Sequence, residues 1–371
     1  MFDGSLIVHE NAIKVVAKYL KKGNMSRCLR DILPSSSLSN EQREQVAEIV
    51  HDVVRWKNLY DDMIASKGLK KTPEVYVDLA VHGVRDTSGI NSFEDQYSCS
   101  PYVASVLKNH LDWAEYINEK PPTTLCVNLN KSSPDQVVSL LRREQLPAET
   151  SHLETAVLTS SLGRYSSAVK ECSAHVMDES SQLVAFFAAS HGERILDYCA
   201  GNGGKSLAMA SFGRNMKTIY AYDINLEKQA ILEKRCQAYH ANVICDQKIP
   251  PGGFDVVLVD APCTGIGAAR RNPEAKYVPG SGDFPKNQLD ILREAAQKLD
   301  RNGFLMYSVC TFTPEETDQV VEAFLTLERG FRCAWFDDFV LNDLLSRTRF
   351  GAFTMVPFGD IFYLSVLQKI K

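Results

Sequence analysis

Two cysteines follow two apolar runs, and their positions suggest covalent chemistry. Phe254-Asp255-Val256-Val257-Leu258-Val259 leads into Asp260-Ala261-Pro262-Cys263-Thr264-Gly265, and Phe304-Leu305-Met306-Tyr307-Ser308-Val309 ends at Cys310. A glycine-rich turn, Cys199-Ala200-Gly201-Asn202-Gly203-Gly204-Lys205, follows a third apolar run upstream. A thiol becomes a good nucleophile at neutral pH only where its surroundings favour the thiolate. A glycine turn opening a helix lets backbone N–H groups approach a ligand closely. Together the three segments describe a nucleophilic thiol, a second thiol and a nucleotide-like cofactor at one edge. Each cysteine alone reads as well as a buried structural thiol.

The elements that must position these residues form a regular series. From about residue 190 the pattern alternates strand and helix. Strands are expected at Ile195–Tyr198, Thr218–Tyr222, Asn242–Cys245, Phe254–Val259 and Phe304–Val309. Helices are expected after Gly204, at Leu226–Tyr239, Leu289–Leu299 and Glu315–Leu327. Continuous apolar strands separated by helices predict an α/β fold with a Rossmann-like, mostly parallel, doubly wound sheet. Such sheets bind ligands at the carboxyl ends of their strands. Asp197, Asp223, Asp260 and Cys310 all fall at such ends. Asp223, 26 residues after Asp197, is placed to accept hydrogen bonds from ribose hydroxyls. It is equally placed to cap the next helix. Asp246 follows the third strand, within reach of an adenine edge. Asp260 suits N3 or the exocyclic amine of a cytosine. Lys205 supplies positive charge beside the thiols. The turn itself is neither G-x-G-x-x-G nor a P-loop.

Upstream the texture differs. Residues 1–95 read as a helical domain. Ser39 and Gln42 have capping-box spacing, and Val46, Ile49, Val50, Val53 and Tyr60 form one apolar stripe at helical period. Residues 96–170 contain a linker and a short α+β region: a strand at Thr124–Leu129, a helix opened by Ser133 and Pro134, and a strand near Ala156. Residues 171–371 form the remaining domain.

Composition narrows the classes. The 371 residues carry a formal net charge of −5, with 44% hydrophobic and 23% charged residues, as in ordinary globular proteins. No apolar run is long enough to span a bilayer, and the first residues lack a basic and then apolar signal, so a cytoplasmic location is expected. The ten cysteines include no Cys-x-x-Cys pair and the eight histidines are scattered, so neither a disulfide scaffold nor a metal site is expected. Net acidity argues mildly against nucleic acid as a partner. However, Lys14, Lys18, Lys21, Lys22, Arg27 and Arg30 cluster near the N-terminus, and Arg270, Arg271 and Lys276 follow Cys263.

Residues 171–371 resemble the Sun (Fmu) family of RNA cytosine-5 methyltransferases. The resemblance rests on Val176–Leu183, the Cys199–Lys205 turn, Asp260–Cys263 with Arg271-Asn272-Pro273-Glu274, and Tyr307–Cys310 with Pro314-Glu315-Glu316. Upstream, Pro122–Leu146 resembles the family's RRM-like region and about Leu38–Ile64 its NusB-like, RNA-binding domain. The resemblance implies S-adenosylmethionine as cofactor and ribosomal or transfer RNA as substrate. It makes Cys310 the nucleophile toward cytosine C6 and Cys263 the residue that assists product release. Asp260 and Lys205 would contact the base. Residues 199–205, Asp223, Asp246 and Asp260 would line the cofactor site. No metal or membrane is implied, and a monomer is the simplest state. The chain departs from the family pattern at Gly201-Asn202 in the turn (usually Ala-Pro), at Val309 (usually Thr) and at Cys126 (usually Arg). These departures keep open a second reading, a methyltransferase-like RNA-binding or assembly protein with little activity. A methyltransferase acting on a small molecule or a protein is a third.

Overall fold

The computed structural model describes residues 4–85, 87, 90, 92–249, 251–334 and 342–371. It divides into two compact units. One holds Met1–Lys120 together with Ala268–Gly280, the other Pro121–Gly267 together with Ser281–Lys371.

The first unit is helical. Its main helices are Gly4–Lys22, Met25–Ile32, Asn40–Arg55, Lys57–Ser66 and Pro73–Val81. The capping box at Ser39 forms as expected: its hydroxyl accepts from the Gln42 backbone, and the Gln42 side chain accepts from the Ser39 N–H. The apolar stripe is the core. Val46, Val50, Val53 and Tyr60 are fully buried against Val15, Val16 and Met25.

Ala268–Gly280 contributes a buried polar anchor to this helical unit. Lys276 is fully buried, and its ammonium donates to the Arg55 and Tyr97 carbonyls and to Asn118 Oδ1 while lying 5.6 Å from the Trp56 ring centre. Arg270, 1% exposed, places its guanidinium 4.2 Å from the Tyr116 ring centre, and its carbonyl accepts from Arg55. The sequence-based expectation of a basic surface at Arg270 and Lys276 is therefore corrected: both cations are interior. Desolvating them is tolerable because carbonyls and aromatic faces surround them.

The second unit contains two sheets. A small antiparallel sheet has strands β1 (Thr123–Val127), β2 (Ala148–Thr150), β3 (Ala156–Thr159) and β4 (Ala174–Val176) in the order β2-β3-β1-β4. The helix Pro134–Arg143 packs on it, opened by Ser133 with a full capping box and Pro134 at its first position. The large sheet has nine strands: β5 (Arg194–Asp197), β6 (Thr218–Ala221), β7 (Val243–Cys245), β8 (Phe254–Asp260), β9 (Leu299–Val309), β10 (Phe331–Cys333), β11 (Leu345–Arg347), β12 (Ala352–Thr354) and β13 (Tyr363–Lys369). Their order is β11-β12-β13-β9-β8-β5-β6-β7, with β10 beside β13. β7, β6, β5, β8 and β9 are mutually parallel, and the C-terminal strands add to β9 in antiparallel fashion. The parallel core matches the sequence expectation, whereas the antiparallel extension lies beyond it. The order reverses beside β5, so the crevice at a switch point opens above β5 and β8.

The two units divide the chain at residue 120 and exchange one segment, unlike the sequence-based boundaries at 95 and 170. The small sheet belongs with the large one for a local reason. Leu129 N–H donates to Ser211 Oγ, which in turn donates to the Val127 carbonyl, and Asn128 donates to the Tyr239 carbonyl.

Replacing Lys276 with Met tests the polar anchor. The variant strips the ammonium donor from the buried Arg55 carbonyl and Asn118 Oδ1, while the Tyr97 carbonyl keeps its bond from Asn118 Nδ2, and is expected to destabilise the helical unit by about 2–4 kcal/mol. Urea titration followed by tryptophan fluorescence reads this directly, since Trp56 lies beside the ammonium.

Candidate functional site

Strand register brings the two cysteines together. β8 and β9 are parallel neighbours with Asp260 opposite Ser308. The pairing continues past the strand ends, with Ala261 N–H donating to the Ser308 carbonyl and Gly267 N–H to the Cys310 carbonyl. The loop between them carries Cys263 back over the sheet edge. Its sulfur lies 3.5 Å from that of Cys310. The pairing with Cys310, then burial and the nearby Cys310 and Glu316 charges, hold the Cys263 thiol well above the usual thiol range. Cys263 thus keeps its proton at neutral pH.

The glycine turn lies at the end of β5, as expected. Gly203 sits at φ 84° as the residue before the helix Gly204–Phe212. Only glycine fits there, because a Cβ would come 2.3 Å from Leu232 Cδ1 as well as being strained. Side chains at Gly201 or Gly204 would instead project into open space. That space, bordered by a helix N-terminus and the turn's backbone, has the form of a ligand cradle.

Asp223 is not the cap of the following helix. That role belongs to Asn225, whose side chain accepts from Glu227 and Lys228 N–H. Asp223, 8% exposed, instead turns toward the glycine turn, where its Oδ2 accepts from Gly201 N–H at 2.9 Å, and its Oδ1 from Asn225 N–H. Asp246 follows β7 as expected but is exposed, and its carboxylate accepts from Lys248 N–H.

Lys205 and Asp260 pair with each other. Nζ lies 2.6 Å from Asp260 Oδ2 and 4.9 Å from the Phe362 ring centre. Asp260 is the more exposed of the two side chains, 29% against 10%. Cys199 sits at the start of the turn. Burial and the negative charges of Asp197, Asp260 and Asp223 push its thiol far above the ordinary range. Two carboxylates, Asp223 and Asp260, thus face this crevice, and Lys205 pairs with the second, which leaves Asp223 to favour a cation.

Asp197 ends β5 but does not line the crevice, being 1% exposed with Oδ2 accepting from Ser206. Burial, then Asp260 and Asp223, raise it to about 7 against the Ser206 hydrogen bond.

Glu316 was overlooked as a functional residue. It is fully buried, and its carboxylate accepts from the Thr264 N–H and hydroxyl, the Thr313 hydroxyl and Gln288 Nε2. The run of threonines after each cysteine (Thr264, Thr311, Thr313), facing a buried acid, is the sequence signal for it.

Among the described residues no group of three or more His, Cys, Asp or Glu side chains is arranged to hold a metal ion. No described helix is long and apolar enough to cross a membrane.

Residues 184–346 match the family model described as 16S rRNA methyltransferase RsmB/F. This segment is similar to the methyltransferase domain that the model describes. A probable ribosomal RNA small subunit methyltransferase B of Bacillus subtilis is 30% identical over 220 residues, covering 55% of this chain and 49% of the relative. The Thermus thermophilus ribosomal RNA small subunit methyltransferase B is 38% identical over 151 residues, 39% of this chain and 37% of its own length. The chain thus spans about half the length, or less, of the curated relatives it matches. Among solved structures, that described as PH0851 matches over 98% of both chains with a TM-score of 0.77 at 18% identity. NSun6 from Pyrococcus horikoshii, described with SFG, matches 73% of this chain and 98% of its own with a TM-score of 0.63 at 16% identity. These structures share the fold, and the Sun-family resemblance seen in the sequence is borne out.

Because Asp197 is raised in the folded state, its contribution to stability is present below about pH 4 and is lost as pH rises through about 7. The Asp197→Asn variant lacks this titration. Its stability relative to the wild type is expected to rise across that window and to level off above it. Urea unfolding at pH 5 and pH 8 measures the difference.

Proposed function

We propose that the chain transfers a methyl group from S-adenosylmethionine to C5 of a cytosine in structured RNA, ribosomal or transfer RNA, through a bond between Cys310 and cytosine C6. The observation that carries this reading is the pair of sulfurs 3.5 Å apart at the sheet edge that also bears the glycine turn. The family of the matched segment supports it.

The residues present fit the cofactor. The glycine cradle leaves room for it, Asp223 faces the turn to accept ribose hydroxyls, and the acidic crevice suits a sulfonium cation. Residues 199–205, Asp223, Asp246 and Asp260 would hold it. When bound it supplies an electrophilic methyl group.

The chain's own residues supply the covalent chemistry. The Cys310 sulfur forms a bond to C6, and the electron pair of the C5–C6 double bond shifts to make C5 nucleophilic. Asp260, held by Lys205, hydrogen-bonds the pyrimidine ring and stabilises it as electron density moves. After methylation the C5 proton passes to solvent water, and the electron pair of that C–H bond re-forms the C5–C6 double bond. As it forms, the C6–sulfur bond breaks and restores the ring, with the Cys263 thiol protonating the departing Cys310 sulfur. The target base must leave its stack to reach this edge. The N-terminal lysines and arginines, of which Lys14, Lys21, Lys22, Arg27 and Arg30 are exposed, supply phosphate contacts.

Bisulfite sequencing of RNA from cells with and without the gene tests the reading. Loss of a protected cytosine supports it, and an unchanged pattern sinks it. With purified protein, Cys310→Ala is expected to abolish methyl transfer and covalent complex formation, while Cys263→Ala accumulates a protein–RNA adduct that survives denaturing gels. Exchange of these two outcomes overturns the assignment of roles. Asp223→Ala is expected to weaken S-adenosylmethionine binding by roughly 1.5–3 kcal/mol, the usual scale for hydrogen bonds to a charged group. Calorimetry measures it. Failure of the wild type to bind at millimolar cofactor would favour the RNA-assembly reading instead.

A further inference from the structure

We infer that Glu316 is a positioning residue that locks the two cysteine loops to each other, an inference that rests on Cys310 and Cys263 being the reacting pair. Glu316 lies in the turn Pro314–Glu316, with no exposed surface. One of its oxygens, Oε2, accepts from Thr264 N–H at 3.0 Å and from Gln288 Nε2 at 3.0 Å. The other, Oε1, accepts from Thr264 Oγ1 at 2.6 Å and Thr313 Oγ1 at 3.0 Å, with Thr311 Oγ1 at 3.5 Å. Thr264 directly follows Cys263, and Thr311 directly follows Cys310. The two threonines also bond each other at 3.0 Å. The carboxylate therefore grips the residue after Cys263 directly, and through the Thr264 hydroxyl it holds Thr311, the residue after Cys310.

The grip is braced from three sides. Gln288, on the helix Phe284–Ala296, donates to Glu316 and also to the Pro262 carbonyl at 2.9 Å, so it fixes the residue before Cys263 as well. The Tyr307 hydroxyl, projecting from β9, donates to the Glu316 carbonyl at 2.7 Å. The Thr317 hydroxyl closes the turn by donating to the Thr313 carbonyl. The donors around the carboxylate are neutral amides and hydroxyls, enough to satisfy both oxygens. A buried anion held this way is costly to disturb, and each of its bonds is charge-assisted. Its negative charge also acts on Cys263, helping to keep the proton on that thiol. Glu316 touches neither cofactor nor base in this arrangement. It acts through the loops that carry the sulfurs.

The test compares wild-type, Glu316→Gln, Thr264→Val and Thr264→Ser proteins in labelled methyl transfer to RNA. A misplacement of about 1 Å can cost a hundredfold in rate. Glu316→Gln is therefore expected to lower kcat about 10- to 100-fold with KM for RNA and cofactor within about threefold. Thr264→Val is expected to fall in the same way by about tenfold, and Thr264→Ser, which keeps the hydroxyl, to restore the rate. The second readout is alkylation of the two cysteines by iodoacetamide, resolved by mass spectrometry. In the wild type Cys310 is expected to react faster than Cys263, and the ratio to fall severalfold in Glu316→Gln and Thr264→Val but not in Thr264→Ser. An unchanged kcat, a change confined to KM, or an unchanged alkylation ratio overturns the inference. Should the wild type transfer no methyl group to any RNA, the proposed function fails, and the alkylation ratio alone then decides the positioning role.

Discussion

The chemistry of this chain depends on one pairing, the parallel register of β8 and β9. Parallel strands run in the same direction, so their carboxyl ends emerge on one edge, and the register that sets Asp260 opposite Ser308 puts Cys310 two residues beyond that pair. From that fixed point the Cys263 loop needs only a short return to bring two sulfurs to 3.5 Å. The strands themselves are held by burial on both faces. Val257, Leu305 and Tyr307 pack toward one side, while Val256, Leu258 and Met306 pack toward the other. A register slip of one residue would exchange those faces as well as separate the thiols, so the apolar alternation and the catalytic geometry are enforced by the same side chains.

Charge is distributed unevenly along this edge, and the distribution has a use. Around the glycine turn the carboxylates of Asp223 and Asp260 stand beside the ammonium of Lys205, which pairs with Asp260 and leaves Asp223 without a cationic partner of its own among the described contacts. A cation entering there meets a favourable potential without a dedicated counter-ion. Around the cysteines a carboxylate acting on Cys263 is that of Glu316, and its bonds go to neutral donors. The crevice thus separates a region suited to a positive group from a region where one thiol retains its proton. Asp260 stands between them. It caps β8, pairs with Lys205 on the cofactor side, and remains the more exposed partner, free to face a base on the other.

Much of this was legible in the sequence. The alternation of apolar strands with helices is a local signal repeated several times, the Ser39 capping box was visible as a Ser-x-x-Gln spacing, and Ser133 with Pro134 was visible as a helix start. The cysteines were legible because each ends an apolar run. Other features depend on contacts distant in sequence. Arg270 and Lys276 read as surface charge because nothing local announces that Arg55, Tyr97, Tyr116 and Asn118 will surround them. Asp223 had two local readings, and only the approach of Gly201 N–H decided between them. The strands from Leu345 to Lys369 are short except the last, and they owe their pairing to β9 rather than to their own periodicity. Glu316 was visible only as part of a motif. Its five contacts come from four positions spread over 50 residues, with the near ones hidden among threonines that looked like ordinary turn residues.

The Cys263 loop is held at both ends, and Gly267 is the end that admits no side chain. Its N–H donates to the Cys310 carbonyl, and its own carbonyl accepts from Ile361 N–H. A Cβ there would lie 2.0 Å from the Ile361 carbonyl oxygen and 3.1 Å from the carbonyl carbon of Cys310. These contacts are with backbone, which cannot swing aside as a side chain can. The glycine therefore lets the loop pass close enough to β9 to hydrogen-bond Cys310 itself, while Glu316 fixes the loop three residues earlier at Thr264. With only two residues between the anchors, Gly265 and Ile266 have little room to vary, and Ile266 is fully buried. The separation of the sulfurs is thereby set by backbone and by a buried carboxylate, neither of which depends on rotamers at the surface.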